Sequence, residues 1–185
     1  MKSAKIAVAL LTAVFLSSVH AVEQIDIEKS MNSGFERFSF EDKTPLGWSV
    51  ASQSSKYGTL SVTDDAVKGE KAAEVTASGD FLFFSSSTIK VKPGDIFRIS
   101  FKIKGQGKVN AGFIFYGQKG FIRTVPTDSG FVNADPDNWK QVEGIIKVKK
   151  LENGIPQAAR ICFHCYPGII KIDALKLEKL LPDEL

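Results

Sequence analysis

The sequence predicts an all-β fold, a sandwich or barrel built from about nine strands. Two observations lead to this prediction: short segments alternate between apolar and polar residues, and turn-forming residues separate these segments. Nothing between the segments is long enough for a crossover helix, which argues against an α/β architecture. The strand candidates are residues 59–63, 72–76, 80–84, 87–91, 95–104, 109–116, 140–148, 159–166 and 169–177.

The clearest strand pattern covers residues 95–104, where Phe97, Ile99, Phe101 and Ile103 point one way and mostly polar residues the other. Residues 109–116 repeat this alternation. Gly, Pro, Asn and Asp then mark turns at 68–69, 92–95, 105–107, 135–138, 152–154 and 167–168. The one long segment without a strand pattern, 117–138, is expected to be a functional or disordered loop.

The first 21 residues have the three parts of a secretory signal peptide. Lys2 and Lys5 give a positive start, residues 6–16 are almost wholly apolar, and Val19-His20-Ala21 is a small-x-small cleavage site. The apolar run is too short to span a bilayer, and no later stretch is long enough, so no membrane span is predicted. We therefore expect a secreted or periplasmic protein whose residues 22–185 form one domain.

The charge of this domain is nearly balanced. The chain has 24 Lys and Arg against 21 Asp and Glu, and removing Lys2 and Lys5 leaves a net charge of about +1. The basic residues are scattered along the sequence, so no footprint for nucleic acid is predicted.

Four groups of residues, in order, resemble jelly-roll carbohydrate-binding modules of families 4, 9 and 22, which have a galactose-binding-domain-like β-sandwich. They are NSGFE at 32–36 with PLGW at 45–48, VKGEKAAEV at 67–75, VKPGDIFRISF at 91–101, and WKQV at 139–142 with IKIDALKL at 170–177. Together they cover nearly all of residues 22–185. The resemblance implies a jelly roll of two antiparallel sheets and a carbohydrate as binding partner.

Strand alternation gives candidate ligand-binding residues on the faces that point away from the core. Flat aromatic rings stack on sugar rings, and planar polar groups bind sugar hydroxyls in pairs. The candidates are Arg98, Asn110, Tyr116, Arg160, His164 and Tyr166. The alternative interpretation is an ordinary solvated sheet face. Loop residues Tyr57, Phe121 and Phe131 are further candidates, whereas Trp48 and Trp139 match family positions that usually cover an edge of the core.

The resemblance also implies one structural calcium ion. The matching ligands are Glu36, Asp173 and backbone carbonyls of residues 68–71, against the six to eight oxygens that calcium prefers. Many relatives have a second acid after the aspartate, but Ala174 stands there and leaves one ligand fewer. The alternative is that both acids cap turns or form surface ion pairs.

No catalytic set can be assembled from the sequence, so we predict that the protein is not an enzyme. The segment Cys162-Phe163-His164-Cys165 lies in a strand pattern, where neighbouring side chains point to opposite faces. Two other classes of function stay open. One is a structural or adhesive β-sandwich that binds a protein or the cell envelope without a sugar site, and the other is a small hydrolase on a jelly roll.

Overall fold

The computed structural model describes residues 23–181, so the predicted signal peptide at 1–21 lies outside the described residues. Twelve strands make up most of this part of the chain. They are β1 (Glu23–Ile25), β2 (Trp48–Val50), β3 (Gly58–Thr63), β4 (Ala72–Ala77), β5 (Leu82–Lys90), β6 (Ile96–Gln106), β7 (Lys108–Gly117), β8 (Gly120–Pro126), β9 (Val132–Asn133), β10 (Lys140–Lys147), β11 (Ala158–Cys165) and β12 (Gly168–Leu180). The described residues also form one turn of α-helix, α1 (Glu28–Met31), and a 3₁₀ turn at Ser55–Tyr57. Within residues 23–181, no helix has the length and apolar character needed to cross a membrane.

The strands form two sheets in which every pairing is antiparallel. Sheet I has the order β10-β6-β12-β4-β3, with β1 on β12, and sheet II has the order β2-β5-β11-β7-β8, with β9 on β7. The consecutive strands β6 and β7 therefore lie in different sheets. The predicted sandwich of two antiparallel sheets is confirmed.

The strand predictions miss the short strands β1 and β2 and differ from the structure in two further places. The candidates at 80–84 and 87–91 are one continuous strand, β5. The segment 117–138 was expected to be a loop, but it contains β8 and β9. A tight hairpin at Gly117–Gly120 turns the chain back along β7, and backbone hydrogen bonds to β7 hold β8 in the sheet. The residues of β8 do not alternate regularly between apolar and polar, so its sequence did not indicate a strand.

The space between the sheets is filled by the apolar residues that alternation places inward. Trp48 is 5% exposed and lies within 5.4 to 5.8 Å of the rings of Phe35, Phe84 and Phe163, centroid to centroid. Its indole N–H donates to the carbonyl oxygen of Asn32 at 3.3 Å. Burial of each such ring contributes about 2–3 kcal/mol to folding. Trp48 is thus a core residue, as the family position implies.

One irregularity shapes the middle of sheet II. Opposite the step from Arg160 to Cys162 in β11, the partner strand β5 carries one extra residue between Ser85 and Thr88. This bulge turns the backbone N–H of Ile161 toward the hydroxyl of Ser86, to which it donates at 3.0 Å. A bulge bends its strand and increases the local twist.

Candidate functional site

The outer face of sheet II, which points away from the core, carries a groove of about 350 Å³. Its floor is formed by β7 and β11, where small residues, Gly112 and Cys162, lie directly opposite each other. A Cβ atom on Gly112 would come within 2.6 Å of the carbonyl oxygen of Val125 in β8, so this position must stay small. The lining residues are Phe81, Asn110, Ala111, Gly112, Thr124, Pro126, Phe131, Cys162, His164 and Tyr166.

Aromatic rings surround His164 at one side of the groove. The imidazole lies 4.4 Å from the ring of Phe83 and 5.4 Å from the ring of Phe81, which it meets edge-on at 85°. Burial lowers the pKa of His164 below its ordinary value of 6.5, because the charged form loses hydration. Asn110 faces His164 directly across the β7–β11 pair. The neutral imidazole and the amide therefore offer neighbouring hydrogen-bonding groups on an apolar floor.

Two more rings and a cation form the end of the groove beyond His164. Phe131 and Tyr166 meet edge to face with ring centroids 4.9 Å apart. The ammonium group of Lys108 lies 4.6 Å from the centre of the Tyr166 ring and 5.6 Å from that of Phe131. Tyr166 also borders a second hollow of about 450 Å³, so the groove continues past this end.

The opposite end of the face has a matching arrangement. The guanidinium carbon of Arg160 lies 5.3 Å from the centre of the Tyr116 ring, and the Arg160 Nε donates to Thr88 Oγ1 at 3.4 Å. Phe121 meets Tyr116 edge to face at 6.4 Å. From Asn110 to Tyr116 is six residues along one strand, or about 20 Å. Each end of the face therefore carries a tyrosine with a cation over its ring.

Five of the six predicted ligand residues lie on this face: Asn110, Tyr116, Arg160, His164 and Tyr166. Arg98 does not, and this part of the prediction is corrected here. It lies on the outer face of sheet I, where its guanidinium donates to Glu178 Oε2 at 3.2 Å. Arg98 was predicted to lie beside β7 because β7 follows β6 along the chain, but β6 pairs with β10 and β12 rather than with β7.

The loop aromatics divide in the same way. Phe131 lines the groove and Phe121 stands at the Tyr116 end, 65% exposed. Tyr57 lies instead on the 3₁₀ turn before β3 in sheet I. Phe81, Phe83, Thr124 and Pro126 were not predicted. Alternation within 80–84 could have indicated the two phenylalanines, because Leu82 and Phe84 are the inward residues between and beside them.

The two cysteines occupy different environments and both are free thiols. Cys162 lies under the groove floor and packs with Phe83 and Ile114, whereas Cys165 is part of the core between the sheets. Burial raises the pKa of both thiols far above their ordinary value, so both stay protonated. Each acts as a small apolar side chain.

Glu36 and Asp173 both bind the loop at residues 67–71, as the resemblance implies, but through its N–H groups. Asp173 is fully buried, and its Oδ2 accepts from the backbone N–H of Val67 at 2.6 Å and of Lys68 at 2.8 Å. Glu36 Oε1 accepts from the N–H of Glu70 at 2.9 Å and of Lys71 at 3.3 Å. The two carboxylates thus hold four amides of one short loop.

This arrangement does not fit a calcium ion. Calcium needs carboxylate and carbonyl oxygens aimed at one point, whereas Asp173 Oδ2 and Glu36 Oε1 are aimed at backbone N–H groups of the loop. Asp173 Oδ1 accepts the N–H of Ala174 as well. Gly69, with φ +76°, also leaves little room, because a Cβ there would lie 1.9 Å from Glu36 Oε1. In residues 23–181, no three His, Cys, Asp or Glu side chains cluster as metal ligands.

No model of a known protein family matches the chain, and no curated protein matches it. Solved structures do match. The CBM22-1 xylan-binding domain of Paenibacillus barcinonensis Xyn10C gives a TM-score of 0.56 at 12% identity, over 77% of this chain and 91% of that domain. A CBM4 module gives a TM-score of 0.54 at 15% identity, over 80% of this chain and 98% of the module. The chain has the jelly-roll fold of carbohydrate-binding modules.

This fold is not confined to binding modules. A cyclase from Fischerella sp. TAU superposes with a TM-score of 0.64 at 13% identity, over 86% of this chain and 98% of the cyclase. At these identities the likeness concerns the fold alone. The function must be argued from the groove.

Proposed function

We propose that this protein is an exported, non-catalytic module that binds a carbohydrate on the outer face of sheet II. The observation that carries the proposal is the aromatic outer face of sheet II. Its groove across β7 and β11 has Phe131 and Tyr166 beside a floor containing Asn110 and His164, and Tyr116 lies on the same face toward its other end. Solved modules with this fold include xylan-binding domains, which supports a sugar as ligand.

Binding would combine stacking and hydrogen bonding. The apolar C–H face of a pyranose ring packs against the exposed edges and faces of the aromatic side chains, while Asn110 and His164 exchange hydrogen bonds with hydroxyl groups. Sugar hydroxyls bond water nearly as well as they bond protein, so only part of this interaction appears as net affinity. We expect dissociation constants on the order of micromolar to millimolar for soluble oligosaccharides.

The proposal that no chemistry takes place rests on the protonation and burial of the candidate groups. A nucleophilic cysteine needs a thiolate, and burial raises the pKa of the Cys162 thiol instead. His164 is flanked by Phe81 and Phe83 rather than by an acid that would orient it as a base.

The proposal of export rests on residues 1–21 alone, whose charged start, apolar run and cleavage site are those of a signal peptide. A secreted or periplasmic protein would meet polysaccharides outside the cytoplasm, which agrees with the proposed ligand.

The rival function is a structural or adhesive sandwich that binds protein or cell envelope. A polar sheet with an apolar patch at its edge would favour that function. Here aromatic residues lie along the sheet face itself, Phe131 and Tyr166 at the groove and Tyr116 and Phe121 at the other end of the face, which favours a sugar.

The test is binding of the purified protein to a glycan array and to insoluble polysaccharides. Tyr116→Ala and Tyr166→Ala should each weaken binding by roughly 1 kcal/mol, about fivefold, because each removes one stacking ring. The matched control is Phe40→Ala, which removes a 91% exposed ring whose aromatic neighbour is Phe38 and which does not line the groove. All three variants should stay folded at the assay temperature, with a modest loss of stability in Tyr116→Ala, because Tyr116 packs against Phe83 and Ile114. The proposal is wrong if no glycan binds, or if both tyrosine variants bind as tightly as the Phe40 control.

A further inference from the structure

The two sheets differ in their charges. The six strands of sheet II contain no Asp or Glu, but they carry four basic residues: Lys90, Lys108, Arg123 and Arg160. The strands of sheet I mix both signs, with acids that include Glu74, Glu143 and Glu178. A groove on sheet II therefore lies on the basic side of a chain whose overall charge is nearly balanced.

The pairing of charges follows the same division. Within residues 23–181, all five ion pairs involve strands of sheet I or the turns beside them. They are Lys71–Asp64, Arg98–Glu178, Lys104–Asp65, Lys171–Asp65 and Lys179–Asp95. In that same part of the chain no carboxylate pairs with Lys108 or Arg160. The basic groups at the two ends of this face therefore have no carboxylate partner in that part of the chain, so their charge is available to an anionic ligand.

The cations also lie where a ligand would meet them. Lys108 stands over Tyr166 at one end, and Arg160 stands over Tyr116 at the other. Lys108 precedes Ile114, the partner of Arg160 across the strand pair, by six residues, or about 20 Å along β7. Each tyrosine thus has a cation over one face of its ring, in reach of an anionic substituent on a sugar bound next to that tyrosine.

From this arrangement we infer that the ligand is an anionic polysaccharide, with carboxylate or sulfate groups bound by Lys108 and Arg160 while its rings stack on the neighbouring tyrosines. The inference rests on the proposed function, since it names the class of sugar for the same groove. A neutral glycan would leave both cations without a counter-charge, whereas an anionic one would neutralise them at two points along its length.

The experiment compares polygalacturonate with its carboxyl-reduced form, which is a neutral polymer of the same backbone, and with dextran sulfate beside neutral dextran. Polygalacturonate or dextran sulfate should bind at least tenfold more tightly than its neutral counterpart. Its binding should weaken as the salt concentration rises from 50 to 500 mM, because salt screens the attraction between the charges. Which of the two anionic polymers binds identifies the charged group.

Lys108→Gln and Arg160→Gln should each weaken binding to the anionic polymer by about fivefold, and by clearly more than they weaken binding to its neutral counterpart. The matched control is Lys176→Gln, which removes an exposed cation from β12 in sheet I and should change neither. Equal, salt-independent binding of neutral and anionic polymers would overturn the inference while supporting a sugar-binding groove. Absence of binding to any polysaccharide would overturn both, and loss of affinity in Lys176→Gln equal to that in Lys108→Gln would place the charge effect outside the groove.

Discussion

Replacing Asp173 with alanine tests whether two carboxylates, rather than a metal ion, hold the loop at 67–71. The carboxylate accepts the backbone N–H groups of Val67, Lys68 and Ala174 in a fully buried position. Asp173 is buried, but Val67 and Lys68 lie on an exposed loop where water can replace part of the lost carboxylate, so losing the three hydrogen bonds should cost about 2–4 kcal/mol. For a domain of this size, 1 kcal/mol corresponds to about 2–4 °C, so the melting temperature should fall by about 10 °C.

The assay is thermal and urea unfolding followed by circular dichroism, with and without a chelator. Glu152→Gln, which changes an exposed acid in a loop, is the control and should leave the free energy of unfolding unchanged within about 0.5 kcal/mol. Chelator should not alter the wild-type melt, because the loop is held by hydrogen bonds from its N–H groups to Asp173 and Glu36. If Asp173→Ala lowered the free energy of unfolding by less than about 1 kcal/mol, the carboxylate would not be what holds the loop. A lower melting temperature of the wild type in chelator would show that a cation binds there after all.

Two further predictions concern single positions. Ala174 has φ +53°, in the left-handed region, where a residue with a Cβ is destabilised by about 1 kcal/mol. Ala174→Gly should therefore raise the melting temperature by about 2–4 °C. An unchanged or lower melting temperature in calorimetry would count against this prediction. The pKa of His164 is lowered in the folded protein, so the unfolded chain binds more protons below pH 6.5. Stability should therefore decline as pH falls from 6.5 to 5 and be level above 6.5, and His164→Gln should remove that slope in urea titrations at each pH; an identical slope in the variant would contradict the assignment.

The sandwich could be predicted from the sequence because alternation is a local property that each strand carries by itself. Phe97 to Ile103 on β6 and Val109 to Phe115 on β7 point inward as their spacing predicts. Which strands share a sheet is not local. Arg98 was placed beside β7 because consecutive strands often pair, yet the chain leaves sheet I after Gln106 and enters sheet II at Lys108.

The candidate site was predicted only where alternation is strict. Asn110 and Tyr116 on β7, and Arg160 and His164 on β11, lie on the predicted face because neither strand is interrupted between them. Phe83 was not predicted, because β5 contains both a run of adjacent apolar residues and a bulge, so no single alternation period describes this strand. The Glu36 and Asp173 positions were identified by resemblance. That their partners are N–H groups depends on the turn geometry at 67–71, which residue types do not specify.

Because of the extra residue in β5, the curvature of this strand can change without changing which side chains point outward. Phe83 and Thr88 are five positions apart, which in a regular strand would send them to opposite faces, yet both pair with outward residues of β11. Removing one serine from the Ser85–Ser87 run would make the spacing four, and both residues would still point outward. A one-codon deletion could therefore straighten the strand and alter the curvature met by a ligand while the inward and outward residues keep their places. Homologous lineages could acquire different ligand shapes by this route without rebuilding the core.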